Sequence, residues 1–193
     1  MDQLKNIEQL TDEQLVPLVL ADRNNFVLIT MRYKLKLFSY IKRLTNIRDE
    51  DAEDLLQDIF LKVYLNLNSF NQQMKFSSWI YAIARNQIIS HYRKLHARPE
   101  GHAEVLDDQL AERFIADFNL PQKQDQQYAK ETVNEALYRL KSKHRDILIL
   151  KYIEEKSYQE ISDIIKKPVG TVGSLLSKAR EELKKNFFTE KLE

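Results

Sequence analysis

The chain has 193 residues, 43% of them hydrophobic, with three Gly, four Pro and no Cys. That supplies apolar side chains for one or two cores and few breaks, so an all-α protein is expected, with disulfides and thiolate metal sites excluded. No apolar run approaches the ~18 residues of a membrane span and no apolar signal core opens the sequence, which predicts a cytoplasmic protein without membrane insertion of its own.

In chain order, Thr11-Asp12-Glu13-Gln14 reads as a capping box opening a first helix, in which Pro17 sits awkwardly beyond the first turn. Asn24 to Leu44 is a second, strongly apolar helix, with Phe26, Ile29, Tyr33, Leu37, Tyr40, Ile41 and Leu44 at helical spacing. Asn46 to Asp51 is expected to be a turn ending in caps, Ala52 to Leu67 a third helix, Asn68 to Lys75 a polar loop and Phe76 to Leu95 a fourth helix. From Ala97 to Gln127 the sequence is rich in Asp and Gln, carries Pro99, Gly101 and Pro121, and has only a weak helical patch near Leu110 to Phe118. Tyr128 to Leu140 and His144 to Tyr152 then open a second helical region. The reading is two small helical domains, 1–97 and 128–193, joined by a flexible acidic linker at 98–127.

The net charge of +1 conceals segregation. Arg48 to Asp58 holds six acids against one Arg, whereas Lys75 to Arg98 holds five cations and no acid. Pro99 to Gln127 holds seven acids against two cations, and Tyr128 to Glu193 holds fourteen cations against eleven acids. Solvated faces account for any one block, but the set suggests several surfaces with different partners.

Three segments carry the functional argument. In Asp51 to Phe70, a stripe of Ala52, Leu55 or Leu56, Ile59, Val63 and Leu67 faces inward. Asp54, Gln57, Asp58 and Leu61 are left on another face, either solvated or a docking surface for a basic partner helix. In Lys75 to Lys94, Phe76, Ile80, Ile83, Ala84, Ile88 and Tyr92 face inward, with Trp79, Asn86, Ser90, Arg93 and Lys94 along one edge and Arg85 near the other. Rings, amides and cations on one rigid helix suit single-stranded DNA, with stacking at roughly 1–3 kcal/mol per base, although core packing, three residues from Phe76 and four from Ile83, is the simpler use of Trp79 taken alone. In Ser157 to Leu183, a short helix with Ile161, Ile164 and Ile165 inward, a turn at Lys166-Lys167-Pro168 and a second helix with the stripe Val169, Val172, Leu176, Ala179 and Leu183 make a helix-turn-helix or a plain hairpin. Thr171, Ser174, Ser177, Lys178 and Glu181 then face outward, offering hydroxyls and a cation to phosphates and base edges.

Taken together, the chain resembles the extracytoplasmic-function (ECF, group IV) RNA polymerase sigma factors. DAEDLLQDIFLKVYLNL resembles that family's region 2.2, FSSWIYAIARNQIISHYRK its regions 2.3 and 2.4, and SYQEISDIIKKPVGTVGSLLSKAREEL its region 4.2, in family order and spacing. The resemblance implies a sigma region 2 helical bundle and a sigma region 4 helix-turn-helix, with no enzymatic activity, no cofactor and no metal. It implies that Asp54, Gln57, Asp58 and Leu61 bind the β′ coiled coil of core RNA polymerase. Asn71, Gln72, Lys75, Trp79, Arg85, Asn86, Ser90, Arg93 and Lys94 would capture the melted −10 strand of promoter DNA. Thr171, Ser174, Ser177, Lys178 and Arg180 would contact the −35 duplex while the same domain holds the β flap. An anti-sigma factor is a further implied partner.

The sequence departs from the family pattern at Gly173 and Leu175, where a cation is usual, at Lys166, where Gly is usual, and at Lys141, where Pro is usual. The alternative is a helix-turn-helix transcriptional regulator that is not a polymerase subunit, which leaves the basic-aromatic helix and charged tether without a role. A helical metalloenzyme built on Asp51, Glu53, Asp54 and Asp58 lacks the Glu-x-x-His pairs such sites use.

Overall fold

The computed structural model describes residues 10–45, 47–95, 133 and 135–189, and among them only helices and their connecting turns occur. The chain divides into two compact units, Met1–Gly101 and His102–Glu193. The expected linker at 98–127, with its weak helical patch, lies outside the described residues.

The first unit contains α1 (Asp12–Ala21), α2 (Phe26–Thr45), α3 (Asp49–Asn66) and α4 (Phe76–Leu95). The Thr11 hydroxyl accepts from the Gln14 amide, and the Gln14 side chain accepts from the Thr11 amide. That reciprocal pair satisfies two otherwise orphaned donors and fixes the start of α1. Pro17 does not break the helix, which runs through it to Ala21. Asp12 pairs with Arg32 at 2.9 Å and accepts from the Tyr33 hydroxyl, which ties α1 to α2. Burial, reinforced by this bond to Asp12, pushes the Tyr33 phenol well above its ordinary range.

The α2 stripe from Ile29 to Leu44 is buried as expected, and Tyr40 meets Tyr81 of α4 at 5.2 Å between ring centroids. Both Leu55 and Leu56 of α3 are buried, together with Phe60. Helix α3 starts at Asp49 rather than Ala52. Arg48 in the cap position makes no side-chain capping bond, and Asp49, Glu50 and Asp51 occupy the first turn itself. Their carboxylates stabilise the positive helix terminus from inside that turn, so no separate capping turn is needed. Helix α4 has the expected bounds. Its core side includes Ser78 and Tyr81, whereas Ile83 is half-buried and the Tyr92 side chain lies outside those described.

The second unit contains a helical turn at 135–138, α5 (Ser142–Leu148) continuing into a π-helical turn (Ile149–Ile153), α6 (Tyr158–Ile165) and α7 (Val169–Thr189). Helices α5 and α6 pack on α7. Val172, Leu176, Ala179, Leu183 and Phe187 form the buried stripe of α7. Val169, expected in that stripe, is 40% exposed, because it opens the helix directly after Pro168, ahead of the packed turns. His144, Arg145 and Asp146 are buried in succession. His144 bonds Glu182 of α7, and the Arg145 guanidinium lies 5.1 Å from the Tyr138 ring centroid.

Candidate functional site

Three surfaces carry the residues singled out by sequence. On α3, Asp54, Gln57, Asp58 and Leu61 are all exposed, opposite the buried stripe. Leu65 belongs with them. It follows Leu61 by four residues on the same side of the helix, and the two are 56% and 65% exposed. Asp54, Asp58, Leu61 and Leu65 make one line of acid and apolar groups, and the spacing from Leu61 was the available signal for the fourth member. Two neighbouring leucines left open to water mark a surface suited to a partner.

At the start of α4 the connection is pinned from within. The Asn71 side chain accepts from the Gln73 amide at 2.9 Å, and the Met74 amide donates to the Asn71 carbonyl at 3.1 Å. This leaves Gln72 and Lys75 exposed along with Asn71. Trp79 is half-buried in an aromatic cluster, with ring centroids 5.5 Å from Phe70 and 5.6 Å from Phe76. Packing and presentation therefore coexist at Trp79: one part of the ring is fixed by Phe70 and Phe76 while another stays open. Asn86 and Ser90, seven and eleven residues on, are exposed on the same line of the helix, and Arg85 is half-buried on the opposite edge. Arg93 and Lys94 fall in the last turn of α4, and their side chains lie outside those described. Phe70, the ring that fixes Trp79, was not among the residues expected to matter, although its spacing to Trp79 across the loop gave no helical pattern to follow.

The third surface is α7, positioned by the start of α6. The Ser157 hydroxyl accepts from the Glu160 amide, and the Glu160 carboxylate accepts from the Ser157 amide. At the other end of α6, Lys166 closes the helix in the left-handed region, with φ 53° and ψ 52°. Its place is one where Gly has no steric penalty, which gives the family's usual Gly a physical reason. On α7, Thr171, Ser174, Ser177 and Lys178 share the arc away from the buried stripe, and the Ser174 hydroxyl donates to the Thr171 carbonyl at 3.0 Å. Arg180 lies apart, roughly 160° around the helix from Lys178. Its Nε donates to the Tyr152 hydroxyl, and its guanidinium lies 5.4 Å from that ring's centroid. Gly173 shares this flank, where a Cβ would meet the Tyr158 ring at 3.7 Å, an ordinary contact. The Lys151 ammonium lies 5.3 Å from the same ring's centroid.

Comparison with known proteins shows the family of the chain. The Sigma-70 region 2 family matches residues 29–98, and the Sigma-70, region 4 family matches residues 130–183. The ECF RNA polymerase sigma factor SigW of Bacillus subtilis (strain 168) is 33% identical over 185 residues, covering 93% of this chain and 97% of that protein. The chain belongs to the ECF RNA polymerase sigma factors. The ECF RNA polymerase sigma-E factor of Escherichia coli (strain K12) is 31% identical to this sigma factor over 183 residues, covering 91% of this chain and 94% of the relative. Two solved structures share the fold. The sigma factor RpoE from Bartonella quintana, in complex with the anti-sigma factor NepR, has 22% identity and a TM-score of 0.63, covering 84% of this chain and 96% of that one. CnrH, in complex with the cytosolic domain of CnrY, has 20% identity and a TM-score of 0.64, covering 90% and 94%.

As an RNA polymerase sigma factor, this protein binds core polymerase and directs it to promoter DNA. Among the described residues, no helix is long and apolar enough to cross a membrane, and no group of three or more His, Asp or Glu is placed to hold a metal ion. Asp51, Glu53, Asp54 and Asp58 in particular form no such group.

Proposed function

We propose that this sigma factor divides promoter recognition among the three surfaces. Asp54, Gln57, Asp58 and Leu61, extended by Leu65, dock on the β′ coiled coil. Asn71, Gln72 and Lys75, with Trp79, Asn86 and Ser90, capture the −10 strand once its bases leave the stack, while Arg85, Arg93 and Lys94 hold its backbone. Thr171, Ser174, Ser177 and Lys178 read the −35 duplex, with Arg180 braced on Tyr152 at the flank, and the same unit holds the β flap. Residues 98–127 act as the tether between a region 2 domain at 1–97 and a region 4 domain at 128–193. One observation carries the assignment: on α3, α4 and α7 alike, exposed members of the motif lie away from a buried stripe on the same helix. Those groups can meet a partner without unfolding anything.

The protein acts in the cytoplasm as a polymerase subunit and performs no catalysis of its own. An anti-sigma factor is its regulatory partner, a reading supported by the complex with the anti-sigma factor NepR in which the structural relative RpoE was solved. Run-off transcription by core polymerase on a genomic promoter library, with and without the protein, tests the whole scheme. A discrete set of new start sites is expected, and an unchanged transcript pattern would refute it.

A further inference from the structure

Helix α2 has two apolar seams, and its own unit fills one of them. The stripe from Ile29 to Leu44 is buried. On the roughly opposite side, Leu28, Met31, Leu35 and Phe38 repeat at spacings of three, four and three, within an arc of roughly 80°. Met31 and Leu35 are 70% and 77% exposed, their neighbour Val27 is 55% exposed, and Leu28 and Phe38 are half-buried. A three–four alternation confined to so narrow an arc is the pattern by which one helix packs lengthwise on another. It runs for about 15 Å, nearly three turns, and it lies open to water.

Charge indicates which kind of helix would cover it. Helix α2 carries five Lys or Arg and no acid. With the seam residues at the a and d positions of a heptad, Arg32 and Lys34 fall at the flanking e and g positions, where charge selects the partner. Arg32 is paired with Asp12, whereas Lys34 is exposed and makes no ion pair among the described residues. A second copy of this chain would bring like charges to the seam, which is unfavourable. The complement is a helix with one apolar seam and Asp or Glu beside it.

We propose that this outer face of α2 docks an acidic amphipathic helix of another protein, at a site separate from the α3 face assigned to polymerase. The inference does not depend on that assignment, because core affinity is measured on its own. The full-length protein is titrated, by fluorescence anisotropy, with a synthetic helix bearing Leu at its a and d positions and Glu at e and g. Like charge keeps that peptide from pairing with itself. The comparison peptide has Lys in place of each Glu.

The parent should bind the Glu peptide in preference to the Lys peptide. Met31→Ser/Leu35→Ser should weaken the Glu peptide by about 30-fold or more, since most of each side chain is left for a partner to bury. Its core polymerase affinity should be unchanged. Lys34→Glu should reverse the preference between the two peptides, which a folding defect cannot do. Equal binding of both peptides, or of neither, overturns the proposal. So does a Glu peptide whose affinity ignores Met31→Ser/Leu35→Ser, because it then sits elsewhere. Loss of core affinity in that variant would give the face to polymerase. A parent dimer that the variant dissolves, seen by light scattering, would give it to a second copy. Binding to vesicles of anionic lipid but not to the Glu peptide would give it to a membrane. Each of these three results also overturns the proposal.

Discussion

Truncating the two exposed leucines of α3 should weaken assembly with polymerase without weakening the fold. Leu61 and Leu65 are 56% and 65% exposed, so more than half of each side chain remains to be buried by a partner. Full burial of a leucine is worth about 1.5–3 kcal/mol, so Leu61→Ala and Leu65→Ala should each cost about 1–1.5 kcal/mol of docking energy. Together they predict a drop of about 2–3 kcal/mol, or roughly 30- to 150-fold in Kd. Adding Asp58→Lys should weaken binding further by setting like charge against a basic partner. Core affinity is best measured by competition against a fluorescent sigma factor at fixed salt. Circular dichroism and the urea midpoint should stay near those of the parent protein, since neither leucine belongs to the core. A folded double variant that binds core as tightly as the parent would refute the assignment of this face.

Asn86→Ala should reduce open-complex formation on duplex promoters but matter less on a template mismatched across the −10 region, because the bubble removes the cost of unpairing; permanganate footprinting reads both. Phe70→Ala, which removes one of the rings holding Trp79, should give the same pattern in the same assay, and an effect confined to the closed complex would contradict it. Lys166→Gly should stabilise the second unit by about 0.5–1 kcal/mol in urea unfolding, the relief of left-handed strain less the added chain entropy of Gly. The Tyr33 phenol ionises near 10 in the unfolded chain and well above that when folded, so its contribution to stability is complete below about pH 10 and declines as pH rises past it. Tyr33→Phe should cost about 1 kcal/mol at neutral pH through the lost bond to Asp12 but flatten the alkaline limb of the stability curve, followed by far-UV circular dichroism.

Much of the fold was legible because local signals and packing agree. The Thr11–Gln14 box opens α1, and α4 keeps the expected limits of Phe76 and Leu95. The missed features depend on tertiary partners or on choices between equivalent local solutions. Acids at 49–51 serve a helix start equally well as caps or as first-turn residues, so α3 began earlier than expected. Nothing in the run from Ile149 to Ile153 announces a π-helical turn, yet that turn brings Tyr152 to Arg180. Arg180 was grouped with Lys178 by its place in the motif, and the helix separates them by angle. The burial of His144, Arg145 and Asp146 had no signal in a helical reading of His144 to Tyr152, since it depends on partners such as Glu182 and Tyr138.

The bonds made by α1 also set a timetable for synthesis. Asp12 finds Arg32 and Tyr33 within 21 residues, but the Glu13 carboxylate accepts from the Phe76 amide, 63 residues later in the chain. At about 5–20 residues per second, Phe76 is added some 3–13 s after Glu13. During that interval, α1 can gain its anchor to α2 but lacks the one to α4. A nascent chain therefore closes the start of α4 onto α1 only after Leu61 and Leu65 of α3 have been translated.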